Sequence, residues 1–250
     1  MNELMMLVRR ILSLLATLGI AIATPACGQP SPEQQRNAMV DDIARMARAL
    51  SRNTGKDELD ERVLRAMAKV PRHEFVPEAF RARAYENRPL PIGEGQTISQ
   101  PFIVALMTDL AGVDADSVVL EIGTGSGYQA AILAELAARV HTIEIVEPLG
   151  RRAAETLERL GYDNVFVRIG DGYRGWPEAA PFDAIVVTAA PDEVPRPLLE
   201  QLAPRGRLVI PVGAPGAVQS LRLIEKDAEG RLTERDVLPV AFVPFTRETR

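Results

Sequence analysis

Three acids and one run of glycines are spaced as a ligand site would need them. The apolar run Val118-Val119-Leu120-Glu121-Ile122 breaks into Gly123-Thr124-Gly125-Ser126-Gly127, and Tyr128 follows. Glycines there permit a tight turn and close approach of a ligand to the backbone. Glu144 stands 21 residues after Gly123, near the end of a second apolar run, where a carboxylate can accept both hydroxyls of a ribose. Gly170-Asp171-Gly172 closes a third run, and Asp171 can accept a hydrogen bond from an adenine amino group. Glu121 suits an ammonium better than a phosphate. A dinucleotide fingerprint G-x-G-x-x-G would want a small residue where Tyr128 stands. The three acids and the loop therefore favour S-adenosylmethionine, which needs no phosphate cradle, over NAD.

Other chemistry is restricted by what the chain lacks. It has one cysteine, Cys27, and two histidines far apart, His73 and His141. Neither a disulfide nor a cysteine zinc site can form, and no metal ligands are expected. The histidines read as packing or surface residues. No Ser/His/Asp or Cys/His set is apparent, and attack on a cytosine ring would need a cysteine nucleophile outside the leader. A formal net charge of −5 argues against nucleic acid as a partner. Where amine methyltransferases carry an N-P-P-Y-like tetrapeptide, this chain reads Thr188-Ala189-Ala190-Pro191. What remains is an acceptor that is already nucleophilic. A carboxylate, with a reference pKa near 4, needs no general base at neutral pH.

The elements that must hold these residues follow from periodicity. Apolar residues recur at helical spacing over Pro32–Leu50 and Asp57–Val70, predicting two covering helices; Phe75–Glu86 suggests a third, short one. Leu90–Pro101, rich in glycine, proline and small hydroxyls, reads as a structured loop, with a helix from Phe102 to Leu110. Strands Ser117–Ile122, Val140–Ile145, Val165–Ile169, Phe182–Thr188 and Arg207–Pro211 then alternate with helices Tyr128–Ala138, Leu149–Leu160 and Pro197–Leu202. That order predicts a mostly parallel sheet with helices on both faces. Two apolar runs between Leu221 and Phe245, around the turn at Asp227–Gly230, predict an antiparallel addition at its edge.

Arg9-Arg10 precede the apolar run Ile11–Ala23, too short to span a bilayer comfortably, and small residues follow. This reads as a secretory leader, cleaved after Ala23 or lipidated at Cys27, so export to a periplasm or a lipid anchor is expected. Any membrane association would run through this segment. The expected organisation is a leader and polar linker over residues 1–35, N-terminal helices over 36–115 and a cofactor-binding core over 116–250.

The segment Leu90-Pro91-Ile92-Gly93-Glu94-Gly95-Gln96-Thr97-Ile98-Ser99-Gln100-Pro101, the run Val119–Gln129, Gly170-Asp171-Gly172, Pro181-Phe182-Asp183-Ala184-Ile185, Thr188–Pro191 and the ending Phe242-Val243-Pro244-Phe245 closely resemble the protein-L-isoaspartate O-methyltransferases. The resemblance spans about Asp57 to Thr246. It implies a Rossmann-like class I methyltransferase fold with a seven-stranded sheet. It implies methyl transfer from S-adenosylmethionine to the free carboxylate of L-isoaspartyl residues in damaged proteins, starting repair through a succinimide. Ser99 would be the active-site hydroxyl, with Gln96, Thr97 and Ile98 lining the cofactor and substrate clamp. Thr246 would close over it, alongside Glu121, Gly123, Thr124, Gly125, Gly127, Glu144, Asp171 and Gly172. A monomer is expected, and the family default of a cytoplasmic enzyme stands against the leader. A carboxyl or small-molecule methyltransferase of other specificity, an NAD enzyme and a non-catalytic binding protein are the alternatives.

Overall fold

The structure is a computed structural model that describes residues 30–214 and 216–247. The segment read as a leader, with Arg9, Arg10, the Ile11–Ala23 run and Cys27, lies outside the described residues. Helix α1 (Pro32–Ala49) begins inside the stretch read as linker, so Pro32–Gln35 belong to the folded domain. Met39, Ile43 and Ala47, four residues apart, form its buried stripe. A short helix α2 (Ser51–Thr54) ends at Gly55. Helix α3 (Glu61–Lys69) starts later than its pattern suggested, because the Asp60 carboxylate caps it by accepting the Arg62 N–H at 2.7 Å. Two 3-10 turns, Arg72–Phe75 and Glu78–Arg83, replace the single helix expected over Phe75–Glu86. Pro77 separates them.

The segment read as a loop is instead an antiparallel hairpin, β1 (Leu90–Gly93) and β2 (Gln96–Ile98). Its turn residues Glu94 and Gly95 have φ of 54° and 71°, the left-handed geometry that matches strand twist in tight hairpins. Leu90, Ile92 and Ile98 are buried, which fixes its register. Helix α4 (Pro101–Ala111) follows with proline at its first position and Gly112 at its end. Ten of its eleven residues are buried, so it is an inner helix and not a surface one.

The second sheet has seven strands: β3 (Val118–Ile122), β4 (Arg139–Glu144), β5 (Val165–Ile169), β6 (Phe182–Val187), β7 (Leu202–Val212), β8 (Gln219–Lys226) and β9 (Leu232–Val240). Their order is β5-β4-β3-β6-β7-β8-β9. The first five are parallel, and β8 and β9 join antiparallel as expected. Helices α5 (Tyr128–Ala134), α6 (Glu147–Arg159) and α7 (Arg196–Gln201) connect the parallel strands. Val119, Val140, Ala184 and Val186 join one apolar cluster, and their neighbours Leu120, Ile143, Ile185 and Val187 join another. Both faces are thus buried, the condition for parallel strands that read as continuous apolar runs. The chain leaves β3 toward β4 on one side and later returns to β6 on the other. That switch opens a crevice beyond the carboxyl ends of these strands. No helix among the described residues is long and apolar enough to cross a membrane.

Candidate active site

A cleft of about 770 Å³, counting its open mouth, sits at the switch point. Its lining takes in Gln96, Thr97, Ile98, Ser99, Glu121, Gly123, Thr124, Gly125, Glu144, Gly172 and Thr246, eleven of the thirteen residues singled out in the sequence. Gly127 and Asp171 do not line it. Gly127 caps helix α5 with φ of 87° and packs beside Leu157, so its task is to join loop and helix.

Each wall has a local cause. Gly123 follows β3 with φ of 96°, and a Cβ there would lie 2.4 Å from the Thr188 hydroxyl oxygen. That hydroxyl donates to the Gly123 carbonyl at 2.6 Å, so the end of β6 holds the loop after β3. Only glycine meets both demands.

Glu144 ends β4 and reaches back to the same loop. Its Oε2 accepts the Gly125 N–H at 2.7 Å and its Oε1 the Val146 N–H at 2.9 Å. The Gly125 N–H, one of the loop donors a pyrophosphate would need, is thus already taken by a carboxylate, which opposes a nicotinamide dinucleotide. Glu121 is fully buried in the central strand. Thr142 donates to its Oε2 at 2.5 Å, and Thr124 and Thr142 share a proton contact at 2.6 Å. Its Oε1 has no hydrogen-bond partner. Burial, and then the nearby Glu144 charge, push the Glu121 carboxyl up to about 8, against the Thr142 bond that favours ionisation. That unpartnered oxygen at the cleft wall can accept a cationic donor once one binds and the carboxyl gives up its proton.

Asp171 lies just outside the cleft. It accepts the Tyr173 N–H at 3.0 Å and pairs with Arg247 at 3.5 Å, while Gly172 presents backbone to the lining. Arg247 also lies 3.7 Å above the Tyr173 ring. Together they tie down a strap, Val243–Thr246, which crosses one side of the cleft and bonds to Ala190 through Phe245 N–H at 2.9 Å.

Sequence reasoning passed over Ile145 and Val146, the apolar pair directly after Glu144, and Thr188 as the partner of Gly123. Their signal was position at a strand's carboxyl end. Among the described residues no His, Cys, Lys or Arg lines the cleft. His73 bonds the Tyr85 hydroxyl at 2.6 Å, and His141 stacks among Phe166, Trp176 and Phe182, so both pack as expected. Among the described residues no group of three His, Cys, Asp or Glu side chains is placed to hold a metal.

Ser99, Thr97, Thr188 and Val243 also line a second, largely apolar groove with Met46, Leu50, Ile103 and Leu238. The two cavities therefore share a wall at Ser99.

The family model described as protein-L-isoaspartate(D-aspartate) O-methyltransferase matches residues 46–250. The chain is 64% identical over 211 residues to protein-L-isoaspartate O-methyltransferase 2 of Syntrophobacter fumaroxidans, covering 84% of this chain and 85% of that one. A solved protein-L-isoaspartate O-methyltransferase superposes with a TM-score of 0.74 at 29% identity, over 84% of this chain and 65% of that longer one. A second solved structure, from Plasmodium falciparum and described as a complex with S-adenosyl-L-homocysteine, gives 0.69 at 25% identity, over 85% of this chain and 99% of that one.

Proposed function

Since the chain belongs to the protein-L-isoaspartate(D-aspartate) O-methyltransferase family, we propose that its folded domain transfers the methyl group of S-adenosylmethionine to the free carboxylate of L-isoaspartyl residues in damaged proteins and peptides. The observation that carries the reading is the shared wall: Ser99 lines both the cleft at the switch point and the second, largely apolar groove.

The cleft fits S-adenosylmethionine on its own chemistry. The unpartnered Oε1 of Glu121 would take the ammonium, and Glu144 the ribose hydroxyls. The backbone at Gly172, beside Ile145 and Val146, would flank the adenine, and Thr246 would cover it. When bound, that co-substrate supplies a methyl carbon on a sulfonium. The residues around Ser99 then have two tasks, orientation and exclusion of water. The Ser99 hydroxyl would hold the acceptor carboxylate, with Gln96 and Thr97 beside it. No residue need remove a proton, since the acceptor carboxylate is already ionised at neutral pH. The product methyl ester is a better electrophile than a carboxylate, so the neighbouring backbone nitrogen attacks its carbonyl and expels methanol, closing a succinimide that water then opens partly to normal aspartate.

Two peptides differing only in an aspartyl or L-isoaspartyl linkage, with labelled S-adenosylmethionine, test this. Base-labile label on the isoaspartyl peptide alone is expected. Equal label on both, or none, would assign another acceptor.

The leader pattern of residues 1–27 supports export, with the chain released after cleavage or anchored at Cys27; a monomer is proposed as the working unit. Cell fractionation, N-terminal sequencing of the mature chain and sedimentation decide these points. A full-length chain confined to the cytoplasm would reject export.

A further inference from the structure

Arg72 is fully buried, in the 3-10 turn behind Pro71. Burial lowers its guanidinium only to about 10, so it is cationic at neutral pH. A buried cation ordinarily meets a carboxylate. Here the acceptors are three main-chain carbonyls. Nε donates to Ala84 at 2.8 Å, and Nη2 donates to Ser99 at 2.8 Å and to Arg88 at 3.4 Å. The guanidinium carbon also lies 4.8 Å from the Tyr128 ring centroid.

These partners are not scattered. Ala84 and Arg88 precede the hairpin, Ser99 follows it, and Tyr128 opens helix α5 directly after the glycine loop. One planar group therefore sets both ends of the hairpin against the element that carries the cofactor loop. An apolar side chain would fill the space without the desolvation cost of a charge, but it would hold none of the carbonyls. A lysine offers a point charge in place of a rigid fork.

We propose that Arg72 is a positioning residue for methyl transfer: its bond to the Ser99 carbonyl fixes the Ser99–Gln100 peptide and so aims the Ser99 side chain at the junction of the two cavities. This rests on the role given to Ser99 above. Arg72 touches neither substrate nor cofactor, and it acts through the backbone.

The test uses the full chain as wild type, Arg72→Gln, Arg72→Lys, Ser99→Ala and the double variant Arg72→Gln/Ser99→Ala. kcat and KM are measured with an L-isoaspartyl peptide, and S-adenosylhomocysteine affinity by calorimetry, so that rates are expressed per ligand-binding molecule. Arg72→Gln is expected to lower kcat by about tenfold or more, since even a fraction of the roughly 1 Å misplacement that can cost about a hundredfold would do so. Ligand affinity should stay within about twofold. Arg72→Lys should recover part of the rate, and Arg72→Gln should cost nothing further once Ser99 is alanine. Unchanged kcat in Arg72→Gln beside a slow Ser99→Ala overturns the proposal and leaves the Ser99 role standing. Losses that multiply in the double variant overturn it too. Full activity in Ser99→Ala removes the Ser99 role itself, and the proposal with it. If Arg72→Gln does not fold, Arg72→Lys carries the test: kcat equal to wild type rejects the proposal, and a kcat loss at unchanged ligand affinity upholds it.

Discussion

Replacing Glu121 with glutamine should stabilise the ligand-free protein and weaken the liganded one, and the two effects should separate along the pH axis. The Glu121 carboxyl is fully buried, and its pKa rises from 4.5 to about 8 on folding. Below about pH 4.5 it is protonated in both states and costs nothing. Between there and about 8 the folded state holds a proton that the unfolded chain has lost, so stability falls as pH rises. Above about 8 both states are ionised and the loss is complete. At about 1.4 kcal/mol per pKa unit the ceiling is on the order of 4–5 kcal/mol, with each kcal/mol worth about 2–4 °C in a domain of this size. Glutamine is isosteric, keeps an acceptor for the Thr142 hydroxyl and carries no titration. Denaturant unfolding of both proteins from pH 5 to 9 should show a stability gap that is small at pH 5 and grows to several kcal/mol by pH 9. A gap that is flat with pH, or wild type more stable at pH 9, would refute the reasoning. Calorimetry with S-adenosylhomocysteine should show the opposite preference at pH 8. Losing a charged hydrogen bond costs about 1.5–3 kcal/mol, roughly ten- to a hundredfold in affinity.

Gly123→Ala should abolish measurable cofactor binding while the domain remains folded, because the new methyl meets the Thr188 hydroxyl at 2.4 Å in a backbone with φ of 96°; calorimetry and circular dichroism together check it, and the expected stability loss is about 1–3 kcal/mol. Arg247→Ala should change stability by no more than about 1 kcal/mol, since the Arg247 side chain is half exposed and its contact with the buried Asp171 is a long one at 3.5 Å. It should, however, speed cofactor dissociation several-fold in stopped flow by freeing one end of the strap.

The parallel core was legible because buried strands leave unbroken apolar runs, and Val118–Ile122 and Val165–Ile169 match their strands to within a residue. Glycine and proline misled in two places. In Leu90–Ile98 they mark a hairpin turn between strands of four and three residues, too short for an alternating pattern to register. Leu202–Val212 was expected as a strand only from Arg207, beyond Pro204 and Gly206. The strand instead absorbs them as an irregularity in its pairing with β6, between Phe182 and Ala184, with Arg205 at φ of 65°. The acids of the cleft were visible singly, as residues ending apolar runs. Their hydrogen bonds were not, since the Gly125–Glu144 bond and the Thr142–Glu121 bond join different strands. Arg72 gave no signal at all: in sequence it is one more arginine in a chain with many, and only tertiary packing closes water away from it.

The cleft is assembled from short pieces near residues 96–99, 121–126, 143–146, 188 and 243–246, contributed by nearly the whole length of the fold. No fragment short of the complete domain can own it, so binding competence is a readout of global folding. Mass action then runs the other way as well. Cofactor at a hundred times its dissociation constant adds about 2.7 kcal/mol to the native state, a sizeable share of what a typical domain has. The lifetime of this repair protein is in that sense set by metabolic supply, and a molecule placed where S-adenosylmethionine is scarce gives up that increment and becomes more prone to unfold.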